Sequence, residues 1–272
     1  MSLHLVCFGD SNYTLGKNRI KEQAENFAVF KQIHIFGEND LTNDFWENYV
    51  NKLNWKQGDS VRGYFYWVWK PYIISEVLNN IPEDDVILYV DSGCELNRNG
   101  LEKLKQYYEE CLETEGVFFT LDLPEIQWTK MDTYRRVIGE NDDYMMTRQI
   151  IATSFLMKNT PLMRSVVQKW KDILLENDGH YLDDTPSKLP NDPIFKENRH
   201  DQSVLSLILK VEAESQDFTF HEDDTYETIW NAAGYSGVPV GPDQAKVWNI
   251  YGKEYPIWAT RNGSIDFTNC QV

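Results

Sequence analysis

Positive charge is scarce in this sequence. Against 43 Asp+Glu the 272-residue chain carries 26 Lys+Arg, a formal net charge of −17. Phosphate-backbone contacts need clustered Lys and Arg, so the chain is a poor candidate for non-specific nucleic-acid binding, and anionic membrane surfaces are equally poor partners. An anionic ligand would need a metal ion or a few local cations. Long apolar runs are missing too: none approaches the roughly 18 to 20 residues of a membrane-spanning helix. The opening MSLHLVCFGDSNYTLG has no basic region and reaches Gly9-Asp10 too soon for a secretion signal. Cysteine is limited to Cys7, Cys94, Cys111 and Cys270, with no CxxC pair. Such thiols read as reduced, not as a disulfide framework or a zinc site. Together these absences predict a cytoplasmic protein in which the glycosylation triplets at Asn12 and Asn262 are silent.

What is present is an ordinary globular composition, 42% apolar and 25% charged, with aromatics at 14%. The rings suit either a heavy core or a cleft that stacks sugars or bases. Apolar segments alternate in type. Leu3–Phe8, Gln32–Phe36, Val86–Val90 and Val117–Leu121 read as strands. Lys17–Phe30, Asn39–Leu53, the stretch after Val61 up to Asn80, and Leu101–Leu112 read as helices. Pro71 fits a first helical turn, where its missing N–H costs nothing. Further on, Ile150–Met157 predicts a strand, Pro161–Leu175 a long helix, Asp201–Leu209 a helix and Phe218–His221 a short strand. Residues 177–198 form a polar loop suited to a lid or an acceptor loop, and the tail from Gly234 reads as surface wrapping. There is no internal repeat and no linker.

The βαβ rhythm predicts a single α/β domain: a mostly parallel central sheet with helices on both faces. In such sheets ligands bind beyond the carboxyl ends of the strands. That rule nominates Gly9-Asp10, Gly37-Glu38 and Asp91-Ser92-Gly93.

Four constellations carry possible chemistry. In VILYVDSGCE an aliphatic strand delivers Asp91 into a Ser-Gly loop, with Glu95 just beyond. A carboxylate at a buried strand end needs a cation, and Mg2+ or Mn2+ bridging to phosphates is one solution; capping a following turn is the plainer role. RGYFYWVWKPYII packs aromatics around Lys70, which either snorkels from a buried helix or, beside Trp69 at a helix start, faces an anion. RHDQSVLSLIL places Arg199, His200, Asp201 and Gln202 ahead of an apolar helix. Asp201 is either a helix cap or a base and acceptor-hydroxyl ligand. His221 in FTFHEDD is structural, or a metal ligand completing a site at Asp91.

The combination GYFYWVWKPYII, ILYVDSGCE, SFLMKNTP and RHDQSVLSLI, with the early RIKEQAENF and the late ATRNGS, resembles GT-A-type glycosyltransferases. More narrowly it is similar to the small nucleotide-sugar transferases of bacterial polysaccharide clusters and large DNA viruses, over roughly residues 1–262. The resemblance implies a GT-A-like, Rossmann-related fold with a nucleotide-binding half over about 1–125 and an acceptor-side half over about 126–272. It implies a nucleoside-diphosphate sugar donor, a UDP-sugar foremost, a glycan acceptor, and Mn2+ or Mg2+ on a D-x-D motif. Asp91 matches the first Asp of that motif; Gly93 stands where the second is expected, leaving Glu95 or His221 to complete the metal site. Phe8, Gly9 and Tyr13 would cradle base and ribose. Arg19, Trp69, Lys70, Ser92 and Gly93 would line the donor, with Lys70 or Arg19 adding positive charge at the phosphates. Arg199, His200 and Gln202 would sit on the acceptor side, with Asp201 activating the acceptor of an inverting enzyme.

Two other classes stay open. FGDSNYTLG is similar to the first block of SGNH-type esterases, with Ser11 as nucleophile and Gly-x-Asn-Asp blocks at 37–40 and 139–142. The expected Asp-x-x-His is missing, and a serine without its base lacks activation. A non-catalytic nucleotide-sugar binder is the third class.

Overall fold

β1 (Leu3–Phe8) and β3 (Val86–Val90) lie side by side and are buried at every residue. Strands buried on both faces read as unbroken apolar runs, which is why both were evident in the sequence. Their side chains alternate between two cores. Val6, Phe8, Ile87 and Tyr89 enter one, and Leu5, Cys7, Leu88 and Val90 the other. The computed structural model describes residues 1–59, 61–225 and 252–261. The tail from Gly234 (up to residue 251), Asn262 and Cys270 lie outside the described residues.

Among the described residues the remaining strands are β2 (Phe30–Phe36), β4 (Glu95–Leu96), β5 (Gly116–Pro124), β6 (Arg148–Ile150), β7 (Ser154–Lys158), β8 (Thr219–Glu222) and β9 (Ile257–Trp258). Seven strands form one sheet in the order β2-β1-β3-β7-β5-β6, with β8 on β5; β4 and β9 form a separate antiparallel ribbon. β1, β2, β3, β5 and β8 run one way and β6 and β7 the other, so the sheet is mostly parallel.

The longer helices are α1 (Thr14–Phe27), α2 (Trp69–Asn80), α3 (Leu101–Glu113), α4 (Met131–Ile138), α5 (Pro161–Leu175) and α6 (Asp201–Glu212). α1 and α3 cover one face of the sheet, and α2, α5 and α6 the other. α5 starts where the sequence places it: the Met163 amide donates to Thr160 Oγ1 at 3.1 Å, and Pro161 occupies the first turn.

Several boundaries differ from expectation for local reasons. α1 begins at Thr14, after a turn capped by Asp10, and ends at Phe27 because Ala28 turns left-handed (φ 55°). Asn39–Leu53 is a chain of short helical turns, not one helix. The strand expected over Ile150–Met157 is two strands broken at residues 151–153. The helix at Glu125–Trp128, α4 and the β4–β9 ribbon were not foreseen, since elements this short carry little periodic signal.

The loop over 177–198 is fastened, not loose. Asn191 Oδ1 accepts from the Met131 amide at 2.8 Å, and Ser187 Oγ from the Asp132 amide at 3.1 Å, so the loop caps α4. In return Asp132 accepts from the Lys188 and Leu189 amides at 2.6 and 2.8 Å and from His180 Nε2 at 2.6 Å. Cys7, Cys94 and Cys111 are buried, and Cys7 and Cys111 are free thiols.

Candidate functional site

A cavity of about 560 Å³ opens at the carboxyl ends of β1 and β3. Gly9-Asp10 and Asp91-Ser92-Gly93 form part of its wall, as the strand-end rule requires; Gly37-Glu38 does not. Instead the Gly37 amide donates to Asp40, and Glu38 accepts from the Ser11 amide at 2.9 Å.

Lys70 is the centre. It sits at the start of α2, 2% exposed, so it does not snorkel to water. Its ammonium faces three acceptors: the Ala152 carbonyl at 2.9 Å, Asp201 Oδ2 at 3.0 Å and Asp91 Oδ1 at 3.4 Å. Burial works against the charged form, but the Asp201 and Asp91 carboxylates outweigh it and hold the Lys70 pKa above the ordinary lysine value. Burial acts on Asp201 too and, against the pull of Lys70, pushes its carboxyl up to about 6.

Asp91 stands at the end of β3 and does not act as a cap. Its Oδ1 accepts from the Tyr89 hydroxyl at 2.6 Å, and its Oδ2 from an Arg261 guanidinium nitrogen at 3.4 Å. Burial first, then Asp91, hold the Tyr89 phenol well above its ordinary pKa, so it stays a donor. Arg261 also donates to Thr153 Oγ1 at 3.0 Å.

The break between β6 and β7 supplies backbone to this cluster. The Ala152 carbonyl takes Lys70, and the Thr153 carbonyl accepts from the Asp91 amide at 2.9 Å. The first turns of α6 hold the break in place: Gln202 Oε1 accepts from the Ala152 amide at 3.1 Å, and Ser206 Oγ from the Ile150 amide at 2.8 Å. Asp201 is the first residue of α6 and its carboxylate is paired with Lys70, not spent on capping.

Aromatic rings form the opposite wall. Phe8 stacks on Trp69 with ring centroids 4.0 Å apart, and Tyr64 lies 5.8 Å from Phe8. Gly63 to Trp67 follow one another through left-handed backbone, with φ between 49° and 67°. Only glycine fits at 63, because a Cβ there would stand 2.6 Å from the Trp67 ring. Such a run costs about 1–2 kcal/mol per non-glycine residue and persists only where packing over-determines it. Trp67 in turn stacks on His200 at 5.4 Å. Burial pushes the His200 imidazole down to about 4, so it is neutral at neutral pH, and its Nδ1 contacts the Leu182 carbonyl at 2.8 Å.

Of the residues singled out in the sequence, Phe8, Gly9, Tyr13, Trp69, Lys70, Asp91, Ser92, Gly93, Arg199, His200, Asp201 and Gln202 line this one cavity. Arg19 does not reach it. Buried in α1, it donates to the Cys94 carbonyl at 2.8 Å and so braces the Asp91 loop from behind. Glu95 and His221 are corrections. Glu95 is fully buried in β4 and accepts from Thr260 Oγ1 at 3.1 Å. His221 lies on β8, where its Nε2 pairs with Glu110 at 2.6 Å. Neither lines the cavity, and among the described residues no three carboxylate, imidazole or thiol groups converge as metal ligands. The set Asp91, Glu95 and His221 therefore does not fit Mn2+ or Mg2+.

Sequence reasoning missed Arg62, Tyr64, Trp67, Ala152, Thr153 and Arg261 in the wall. The first three fall in the aromatic block it singled out. Arg261 falls in ATRNGS, noted only as part of a resemblance. Ser11 heads an exposed turn outside the wall, and among the described residues none of the five histidines hydrogen-bonds to it. The base that an esterase requires is not beside it.

No protein-family model matches the sequence, and no curated protein matches it. In structure the chain is similar to a glycosyltransferase involved in glycosylation of the major capsid of PBCV-1. The two are 8% identical, over 95% of this chain and 94% of that one, at a TM-score of 0.50. It is also similar to mouse xyloside xylosyltransferase 1 in apo form, 14% identical over 95% and 97% of the chains, TM-score 0.46. A third is the galactosyltransferase LgtC with donor and acceptor sugar analogues, 10% identical over 94% and 86%, TM-score 0.45. The first of these likenesses shows the fold alone, and it is the GT-A-like, Rossmann-related α/β fold expected of the chain.

Proposed function

We propose that the protein is a glycosyltransferase that moves a sugar from a nucleoside-diphosphate sugar, a UDP-sugar foremost, to a hydroxyl of a glycan acceptor. One observation carries this reading. In a chain of net charge −17, the strand-end cavity is lined by Arg62, Lys70, Arg199 and Arg261 against Asp10, Asp91 and Asp201. Four cations against three carboxylates in an aromatic-walled cavity at the strand ends suit a nucleoside diphosphate.

The residues divide by side. Phe8, Gly9 and Tyr13 from the first half, with Tyr64 and Trp69, offer ring faces and backbone to base and ribose. Asp91, Ser92 and Gly93 lie toward the diphosphate, with Arg19 as a positioning residue behind them. Arg199, His200 and Gln202 from the second half border the acceptor side; Gln202 works through the Ala152 amide. A carboxyl near 6 is largely ionised at neutral pH and matched to accept a proton. In a single displacement Asp201 takes the acceptor hydroxyl proton while that oxygen attacks the anomeric carbon. The bond from that carbon to the diphosphate oxygen breaks, and the electron pair leaves with the diphosphate. The same architecture suits a cytoplasmic enzyme of polysaccharide assembly.

The test is release of UDP from a panel of UDP-sugars, with glycan acceptors added in turn, by wild type and Asp201→Asn. Turnover by wild type and a loss of about 100-fold or more in the variant is the expected result. Binding without turnover on any sugar would instead assign the protein to the non-catalytic nucleotide-sugar binders.

A further inference from the structure

Asp91 is the residue a divalent ion would use in the family this chain resembles, yet both of its carboxylate oxygens already face donors. Oδ1 has the Tyr89 hydroxyl at 2.6 Å and the Lys70 ammonium at 3.4 Å, and Oδ2 has Arg261 at 3.4 Å. A Mg2+ or Mn2+ ion needs oxygen ligands at about 2.0–2.2 Å and would have to settle between two fixed cations. Of the other carboxylates offered by the sequence, Asp201 shares the same lysine, Asp10 accepts from the Asn12 amide at 2.9 Å and Glu95 is turned to Thr260.

Pairing and hydrogen bonds fix the segment that carries Arg261. β9 pairs with β4, directly after the Asp91 loop, and Thr260 Oγ1 donates to the Gly93 carbonyl at 3.2 Å. The Ala259 amide donates to the Thr225 carbonyl at 2.9 Å. Arg261 itself adopts a left-handed backbone (φ 52°), a conformation costly for a non-glycine residue. Its side chain is 33% exposed at the cavity, whereas that of Lys70 is 3% exposed.

We infer that Arg261, backed by Lys70, receives the diphosphate of the donor in place of a divalent metal, and that nucleotide binding is metal-independent. Asp91 is then a positioning residue that holds the two cations at the strand end. As the anomeric carbon–oxygen bond breaks, the diphosphate gains one negative charge, and the guanidinium meets it with N–H donors. The inference rests on the glycosyltransferase reading but can fail separately from it.

The experiment is calorimetric titration of UDP and of GDP into the full chain, once in EDTA and once in Mn2+. The variants are Arg261→Met, Arg261→Lys and Asp91→Asn. One nucleotide is expected to bind with a Kd that agrees within about threefold between the two conditions. Arg261→Met weakens it by about 10- to 100-fold in EDTA, the size of a lost charge-assisted contact. Arg261→Lys recovers part of that. Asp91→Asn keeps or tightens binding, because it removes a negative charge, although turnover drops as Arg261 loses its anchor. Binding that appears only with Mn2+ and vanishes in Asp91→Asn would overturn the inference and leave the transferase reading standing. Metal-free binding unchanged in Arg261→Met would overturn the role of Arg261. Failure of both nucleotides in both conditions would overturn the transferase reading and the inference with it.

Discussion

Lys70 holds two carboxylates and a carbonyl on one buried ammonium. Charges taken out of water are tolerated only when paired, and removing one partner leaves the others uncompensated. Lys70→Met is therefore expected to cost about 3–5 kcal/mol in urea denaturation at neutral pH. A cost below about 1 kcal/mol, the range of exposed ion pairs, would contradict the network. Asp201 sets the pH response. Its carboxyl, raised by burial to about 6, is protonated below that pH and cannot accept a proton there. kcat/KM should rise with pH through about 6 and flatten above it, and the rise should vanish in Asp201→Asn. A wild-type profile flat from pH 5 to 8 would remove Asp201 as the base. Asp91, Lys70 and Asp201 could be named from the sequence because each stands at the edge of a strong apolar run. Arg261 could not, because nothing local in the sequence distinguishes it from the other arginines.

Among the elements, the two that shape the cavity wall are irregular. The break at residues 151–153 turns backbone carbonyls toward Lys70 and the Asp91 amide. Read as sequence, Ile150–Met157 is one apolar run. Periodicity cannot show an interruption that tertiary hydrogen bonds impose. The left-handed turn before α2 is equally invisible, since Tyr64, Phe65, Tyr66 and Trp67 have no local preference for positive φ. The loop over 177–198, suited by its sequence to a lid or an acceptor loop, is tied to α4 through Asp132. Burial opposes that carboxylate, but the His180 contact and the Lys188 and Leu189 amides outweigh it and hold its pKa down to about 2. A carboxyl depressed in the folded state stabilises above its ordinary pKa of 3.8 and loses that contribution as pH falls toward 2. Asp132→Ala should cost about 2–4 kcal/mol, by the sum of its lost charge-assisted bonds, and expose the loop to proteolysis at neutral pH. Protection of the loop unchanged in that variant would show that other contacts suffice.

At the scale of the whole molecule, a chain of net charge −17 lines its strand-end cavity with four cations against three carboxylates, and that cavity draws on strand ends and helix starts from both halves of the chain. A ligand seated there binds only the folded state. UDP at about 100-fold above its Kd should add about 2.7 kcal/mol of stability and raise Tm by several degrees, whether or not EDTA is present. No shift with any nucleoside diphosphate would mean the cavity holds something else.

The sequence alone determined the α/β class, the two fully buried strands, helix α5 to the residue, and most of the candidate site. All of these rest on local signals: apolar periodicity, a Thr-Pro helix start, and polar residues at strand ends. Only the tertiary structure decided what neutralises Asp91. Its partners are Lys70, from α2, and Arg261, which lies 170 positions away, and no local pattern encodes that meeting. The same holds for Glu95 and His221, which spacing allowed as metal ligands and which packing directs to Thr260 and Glu110. Side-chain chemistry is written in the sequence, but which charges share a cavity depends on how the sheet and the β4–β9 ribbon bring distant segments together.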